Sequence, residues 1–249
     1  MTEHRGQRTP KPPPSREDLE RLEELTDRLP SDLRAFRDRG LLNAVRRFRI
    51  EQTLSNRTRS LVAVLDGVHD PHNQAAVMRT SEALGLQEVH VVADDEQRFH
   101  PSPRVTQNAH IWLDLQRHPS FDQAADSLRQ RGFELWGAGL VESSISLHDL
   151  PVERPLALVF GNESVGLRRE TLSSCDGFFE IPLRGFSQSL NVSVAAALAL
   201  WSVLAERESR FGRAGDLTED ECMRLRRRFY YRAVGLKDTA VLEVDDSCG

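Results

Sequence analysis

The chain has 249 residues, of which 39% are hydrophobic and 29% charged, with a net charge of −5. That is enough apolar material for one large domain, or for a moderate domain with extensions, and the acidic balance argues mildly against nucleic-acid binding by the chain as a whole. The longest apolar stretch, 192–204, is interrupted by Ser193 and Ser202 and is too short to span a membrane, and Cys175, Cys222 and Cys248 are too far apart for a CxxC zinc site or a disulfide framework, which suits a reducing cytoplasm.

Residues 1–14, rich in proline and basic residues, read as a disordered tail without the apolar core of a secretory leader. Residues 15–59 read as a helical, basic extension. Ser15 is the candidate N-cap, Leu19, Leu22, Leu25 and Leu29 follow at helical spacing, Pro30 and Ser31 interrupt, and a third helix is predicted over 41–54. Between 34 and 59 stand eight arginines against Asp38 and Glu51, and Arg46, Arg47, Arg49 and Arg57 are the candidate RNA-phosphate contacts.

The pattern then changes. Continuous apolar runs predict strands at 61–66, 88–92, 111–115, 133–139, 156–163 and 178–183. Helices are predicted from about 73 to 84, at 121–132 and at 189–207. Strands alternating with helices give an α/β domain over 60–207 with a mostly parallel sheet. An extension, 208–249, carries a helix from about 218 to 233, where Arg224, Arg226, Arg227, Arg228 and Arg232 adjoin Phe229, Tyr230 and Tyr231. Arginine beside aromatics suits phosphate pairing and base stacking.

Ligands of open α/β sheets sit outside the carboxyl ends of the strands, and there the sequence gathers glycine and polar residues: "GVHDPHN" after the first strand, Gly139, "GNESVG" and "PLRGFSQSLNVS". Neither a dinucleotide fingerprint nor a P-loop is present. His69 and His72 read as loop residues rather than metal ligands, and Ser164, His69 and Asp66 lack the nucleophile elbow of a hydrolase. Asn73 and Arg79, six residues apart, lie about 120° apart around an ideal helix. They converge only if Asn73 caps the helix while Arg79 points out of it.

Three stretches in order, "HNQAAVMRTSEALG", "LALVFGNESVGL" and "IPLRGFSQSLNVSVAAALAL", resemble the three motifs of the SpoU (TrmH) family of RNA ribose 2′-O-methyltransferases. "RRFRIEQTLSNRTRSLVAVLDGVHDPHN" is similar to the basic entry segment of the branch that methylates the D-loop guanosine of tRNA. The resemblance implies an α/β fold with a deep C-terminal trefoil knot, a homodimer, S-adenosyl-L-methionine bound in bent form, no metal, and a ribose 2′-hydroxyl as acceptor. Carried over position by position, it assigns catalytic roles to Asn73, Arg79, Glu163, Ser189 and Asn191. It assigns the methyl-donor pocket to Ala138, Gly139, Leu140, Gly161, Ile181, Leu183 and Leu190. It makes Arg79 the group that takes the hydroxyl proton, relieved of its own by an RNA phosphate and held by Asn73; in the alternative version Arg79 orients the hydroxyl and phosphate while the proton leaves to water or phosphate. The same residues have simpler uses: Asn191 as a helix cap, Glu163 as a cap or as a partner of Arg168, and Arg79 paired with Glu82. The same chemistry on rRNA or the anticodon loop, and a silent RNA-binding factor, are the alternative functions. Leu183 stands where the motif usually has methionine, and Asn108 where such proteins often have glycine.

Overall fold

The computed structural model describes residues 12–93, 106, 108–162, 165–213 and 215–236. The chain divides into two units, Met1–Leu54 with Thr218–Gly249, and Ser55–Leu217. Most of the expected disordered tail, the acidic C-terminus, Glu163 and Ser164 lie outside the described residues.

The larger unit is a seven-stranded sheet, parallel throughout, in the order β3-β2-β1-β6-β4-β7-β5. Its strands are β1 (Leu61–Asp66), β2 (Glu88–Val92), β3 (Asp114–His118), β4 (Glu134–Ala138), β5 (Ile145–Ser146), β6 (Leu156–Phe160) and β7 (Gly177–Glu180). Helices cover both faces. In β1, Leu61, Ala63 and Leu65 face a core shared with α4 (Pro71–Leu84) and α7 (Val192–Phe211), while Val62 and Val64 face α5 (Phe121–Arg129). Burial on both faces favours apolar residues along a strand, which is why residues 61–65 of β1 and all of β6 read as unbroken runs, whereas the equally buried β2 carries Glu88 and His90. A short helix, α6 (Arg169–Ser174), precedes β7. The alanine-rich stretch of α7 places Ala196 and Ala199 in the core, where small side chains let α7 lie close to α4.

Two boundaries differ from expectation for physical reasons. The apolar "IWLDL" is not one strand: Ala109–Trp112 is a 3₁₀ turn and the edge strand begins at Asp114. Asn108 enters that turn with φ +64°, a left-handed conformation that asparagine tolerates almost alone among residues with a Cβ. That explains why asparagine stands where glycine is usual. Likewise α4 begins at Pro71, capped by Asp70, and not at Asn73.

In the second unit, α1 (Arg16–Asp27), α2 (Ser31–Asp38) and α3 (Ala44–Ser55) meet α8 (Glu219–Ala233), so segments from both ends of the chain share one core. Phe36 packs edge-on against Tyr230 and Tyr231, with centroids 5.6 and 5.0 Å apart. Arg226 forks onto Glu51 at 2.9 Å and Arg227 onto Asp32 at 2.8 Å. The aromatic residues beside the second arginine cluster are therefore core, and two of its arginines close internal ion pairs.

At the β1–β2–β3 edge, the buried Glu88 carboxylate receives Arg131 at 2.7 Å as well as Arg59, which also holds Asp114. Burial alone would raise its pKa, but the His90 hydrogen bond and the two arginines outweigh burial and hold it at about 2. His118 stacks on His90, with Nδ1 of His90 and Nε2 of His118 2.9 Å apart. Burial, then the charge of His90, depresses His118 from 6.5 to about 4. The unfolded chain therefore takes up this proton first as pH falls. The contribution of His118 to stability is present near pH 7 and is lost between about 6.5 and 4; that of Glu88 is lost below 4.5. Melting temperature should fall over the upper window, and His118→Asn should flatten it there. An unchanged slope in that variant would place the acid sensitivity elsewhere.

Candidate active site

β1 lies between β2 and β6, so the strand order reverses at the β1–β6 pair, the place where open α/β sheets form a ligand crevice. The loops that leave this pair are tied together. Nδ2 of Asn162 donates to the Gly67 carbonyl at 2.9 Å. The fully buried Asp66 carboxylate accepts Nε of Arg168 at 3.0 Å, a second guanidinium nitrogen, and the Thr171 hydroxyl. Asp66 is thus a structural tie, not a member of a hydrolytic triad. After β6, Asn162 and Gly166 exchange backbone hydrogen bonds of 3.0 and 2.9 Å. A Cβ on Gly161 would come within 2.4 Å of the Gly166 carbonyl, so only glycine fits there.

Above this pair, α4 and α7 bring the first and third motifs into contact. Asp70 accepts the His72 N–H at 2.9 Å, and the Gln74 side chain donates to the Val68 carbonyl at 2.6 Å, fixing the mouth of α4. Asn191 caps α7: its Oδ1 accepts the Ser193 N–H at 2.9 Å and the Ser193 hydroxyl at 2.6 Å. Because that oxygen serves a backbone donor, the Asn191 amide has one orientation, and its Nδ2 donates to Oδ1 of Asn73 at 3.1 Å. Asn73 therefore sits in the first turn of α4 and grips Asn191. Arg79 is exposed and makes no hydrogen bond or ion pair among the described residues, so Asn73 does not hold it in this structure. Nor does Glu82 engage Arg79, since Glu82 binds Arg57 at 3.0 Å. Ser189 is exposed in the 181–191 loop, and Glu163 lies outside the described residues.

The expected cofactor residues lie at the end of β4 and on the loops after β4, β6 and β7. The Gly139 N–H donates to the Phe179 carbonyl at 3.0 Å, and Ser144 closes the following loop by donating to the Gly139 carbonyl at 2.8 Å and accepting the Val141 N–H at 3.0 Å. A Cβ added at Gly139 would meet the Leu167 side chain at 3.7 Å, an ordinary van der Waals contact. Ala138, Ile181 and Leu190 are half-buried, and Leu140 and Leu183 are exposed. A cavity of about 630 Å³ opens beside α7 between Ile181, Pro182, Arg184, Leu198 and Trp201. Ile181 is the one member of the expected set that lines it.

The arrangement agrees with the comparisons. The SpoU rRNA Methylase family matches residues 60–201. The chain belongs to this family. A tRNA (guanosine(18)-2′-O)-methyltransferase of Borreliella burgdorferi is 35% identical over 187 residues, 75% of this chain and 84% of that protein. The Aquifex aeolicus TrmH/SpoU tRNA modifying enzyme superposes with a TM-score of 0.68 at 28% identity, covering 75% of this chain and 95% of that one. The SpoU methyltransferase AviRb of Streptomyces viridochromogenes, solved in complex with AdoMet, gives a TM-score of 0.54 at 26% identity, covering 64% of each chain.

Among the SpoU chain's arginines, two expected RNA contacts are corrected by burial. Arg47 is 3% exposed and spends its guanidinium on Thr26 at 2.7 Å and Glu23 at 2.6 Å. Arg57 is fully buried and donates to the Leu86 carbonyl at 2.6 Å. Neither guanidinium faces solvent, whereas Arg46 and Arg49 are exposed. Asn162, which ties the two site loops together, went unassigned in the sequence, its one signal being a polar residue directly after a strand-end glycine; Arg168, read there only as a candidate partner of Glu163, engages Asp66. Among the described residues, no group of three or more His, Cys, Asp or Glu side chains is placed to hold a metal ion, and no helix is long and apolar enough to cross a membrane.

Proposed function

We propose that this SpoU chain transfers a methyl group from S-adenosyl-L-methionine to a ribose 2′-hydroxyl of tRNA, with the D-loop guanosine as its target. The observation that carries the reading is the Asn73–Asn191 hydrogen bond, which joins two motifs 118 residues apart beside the β1–β6 crevice. The tRNA substrate, rather than rRNA, is supported by the extent of the Borreliella burgdorferi match, which runs beyond the 60–201 domain.

The loops fit the methyl donor. Ile181, Leu183 and Leu190 offer apolar surface for an adenine, and Gly139, without a side chain of its own, presents backbone beside them. S-adenosyl-L-methionine supplies an electrophilic methyl group, so the protein must align the ribose hydroxyl and give its proton a way out. Arg79, exposed and without a partner among the described residues, would engage the hydroxyl and the neighbouring phosphate. Asn73 and Asn191 fix the floor of the site, with Ser189 in the adjoining loop. The segment from β6 through α7 would carry the trefoil knot. The working unit would be a cytoplasmic homodimer. On α7, Val194, Leu198 and Trp201 recur at i, i+4 and i+7 and are all exposed, Trp201 by 63%, a stripe that a second copy would bury.

Labelled methyl incorporation from S-adenosyl-L-methionine into bulk tRNA against rRNA tests the reading: label is expected in tRNA. Cofactor binding should persist by calorimetry in excess chelator; its loss there would mean that a metal belongs in the site. Trp201→Glu should give monomers in sedimentation and lose activity, and a monomeric, fully active variant would remove the dimer from the scheme.

A further inference from the structure

The loop between β7 and α7 carries one side chain that the site described above does not use. Phe186 is fully exposed, at 109% of its reference surface. It stands five residues before Asn191 and three before Ser189, in the same loop that delivers both to the site. Arg184, Ser187 and Gln188 flank it and are exposed as well. None of residues 182–190 makes a backbone–backbone hydrogen bond among the described residues, so the loop can adjust to whatever it meets. An aromatic face, a guanidinium, a hydroxyl and a carboxamide on one unbraced loop are the groups that grip an unstacked base: the ring supplies the platform, the cation the phosphate contact, and the amide and hydroxyl the base or sugar edges.

We propose that Phe186 is a base-stacking residue for the RNA substrate, receiving the target base or its immediate neighbour when the ribose enters the site. This rests on the RNA methyl-transfer reading given above. A second copy of the chain is the competing occupant. The exposed stripe of α7 already offers an apolar face for a dimer, whereas Phe186 stands on the preceding loop among polar neighbours.

The test compares Phe186→Leu, which keeps an apolar side chain without a π face, with Phe186→Trp, which enlarges it. Full-length tRNA transcript serves as ligand and as substrate. Stacking on a protein aromatic is a large enough contribution per base that Phe186→Leu should weaken tRNA binding and lower kcat/KM about tenfold or more. Phe186→Trp should match the wild type. S-adenosyl-L-methionine affinity and sedimentation should be unchanged in both. Equal tRNA affinity for Phe186→Leu and wild type overturns the proposal, and so does dissociation of Phe186→Leu into monomers, which would make the ring a contact between copies. Binding is read independently of turnover. A wild-type protein that binds tRNA without methylating it would therefore sink the methyl-transfer reading, while the affinity ratio of the two variants still decides the role of Phe186.

Discussion

Arg79→Lys should lose nearly as much turnover as Arg79→Ala, at least ~100-fold, while binding of S-adenosyl-L-methionine and tRNA changes little. Arg79 lies on the solvent side of α4, between the buried Met78 and the half-buried Thr80, with no ion pair among the described residues. An exposed arginine without a partner adds little to stability, so its value lies in what it meets. A ribose hydroxyl is a weak nucleophile whose proton must leave as the methyl group arrives. A guanidinium, ordinarily protonated, becomes useful for that task when it spans the hydroxyl and an RNA phosphate at once, through several donors in a plane. Lysine keeps the charge and loses the fork. Near-native turnover in Arg79→Lys would reduce Arg79 to a positive charge and turn attention to Glu163.

Arg57→Ala should lower stability by roughly 3 kcal/mol, combining a buried carbonyl left without its donor with a void where a fully enclosed side chain stood. The carbonyl is that of Leu86, and the side chain also binds Glu82, so Arg57 stitches the entry of β1 to the far end of α4. The contrasting substitution is Arg46→Gln with Arg49→Gln, both exposed. It should leave the melting temperature in place, weaken tRNA binding, and flatten the salt dependence by up to about one log-log unit per lost phosphate contact. Denaturant unfolding and salt titrations of tRNA affinity separate the two sets. A stable Arg57→Ala with a reduced salt slope would restore Arg57 to the RNA surface.

These arginines show how far the sequence could be read. Their density was visible; their direction was not, because charge alone does not say which face of a helix a residue occupies. Spacing held a better clue: Arg47, Ile50 and Leu54 fall at i, i+3 and i+7, and all three are buried in α3. In α8, Leu225, Arg226, Phe229 and Tyr230 make the same kind of stripe. β1 and β6 were legible because burial on both faces favours apolar residues along most of their length. β3 was not, because it is an edge strand of mixed polarity, Asp114–His118, next to an apolar turn that imitates a strand. At the site, Asn191 as a helix cap could be read from its place before an apolar run, and the structure keeps that role. Its bond to Asn73 could not, since two residues 118 apart meet only through the packing of α4 on α7. The capping of α4 by Asp70, with Pro71 in its first turn, was present in the sequence as a start signal and displaced the helix mouth from Asn73.

The most direct measurement uses two tRNA transcripts that differ in one atom, the second carrying 2′-deoxyguanosine at the D-loop target. With labelled S-adenosyl-L-methionine, the first should accept one methyl group, recovered after digestion as 2′-O-methylguanosine, and the second should accept none. Equal labelling of both transcripts, or label on a base instead of a ribose, would contradict ribose 2′-O-methylation at that guanosine.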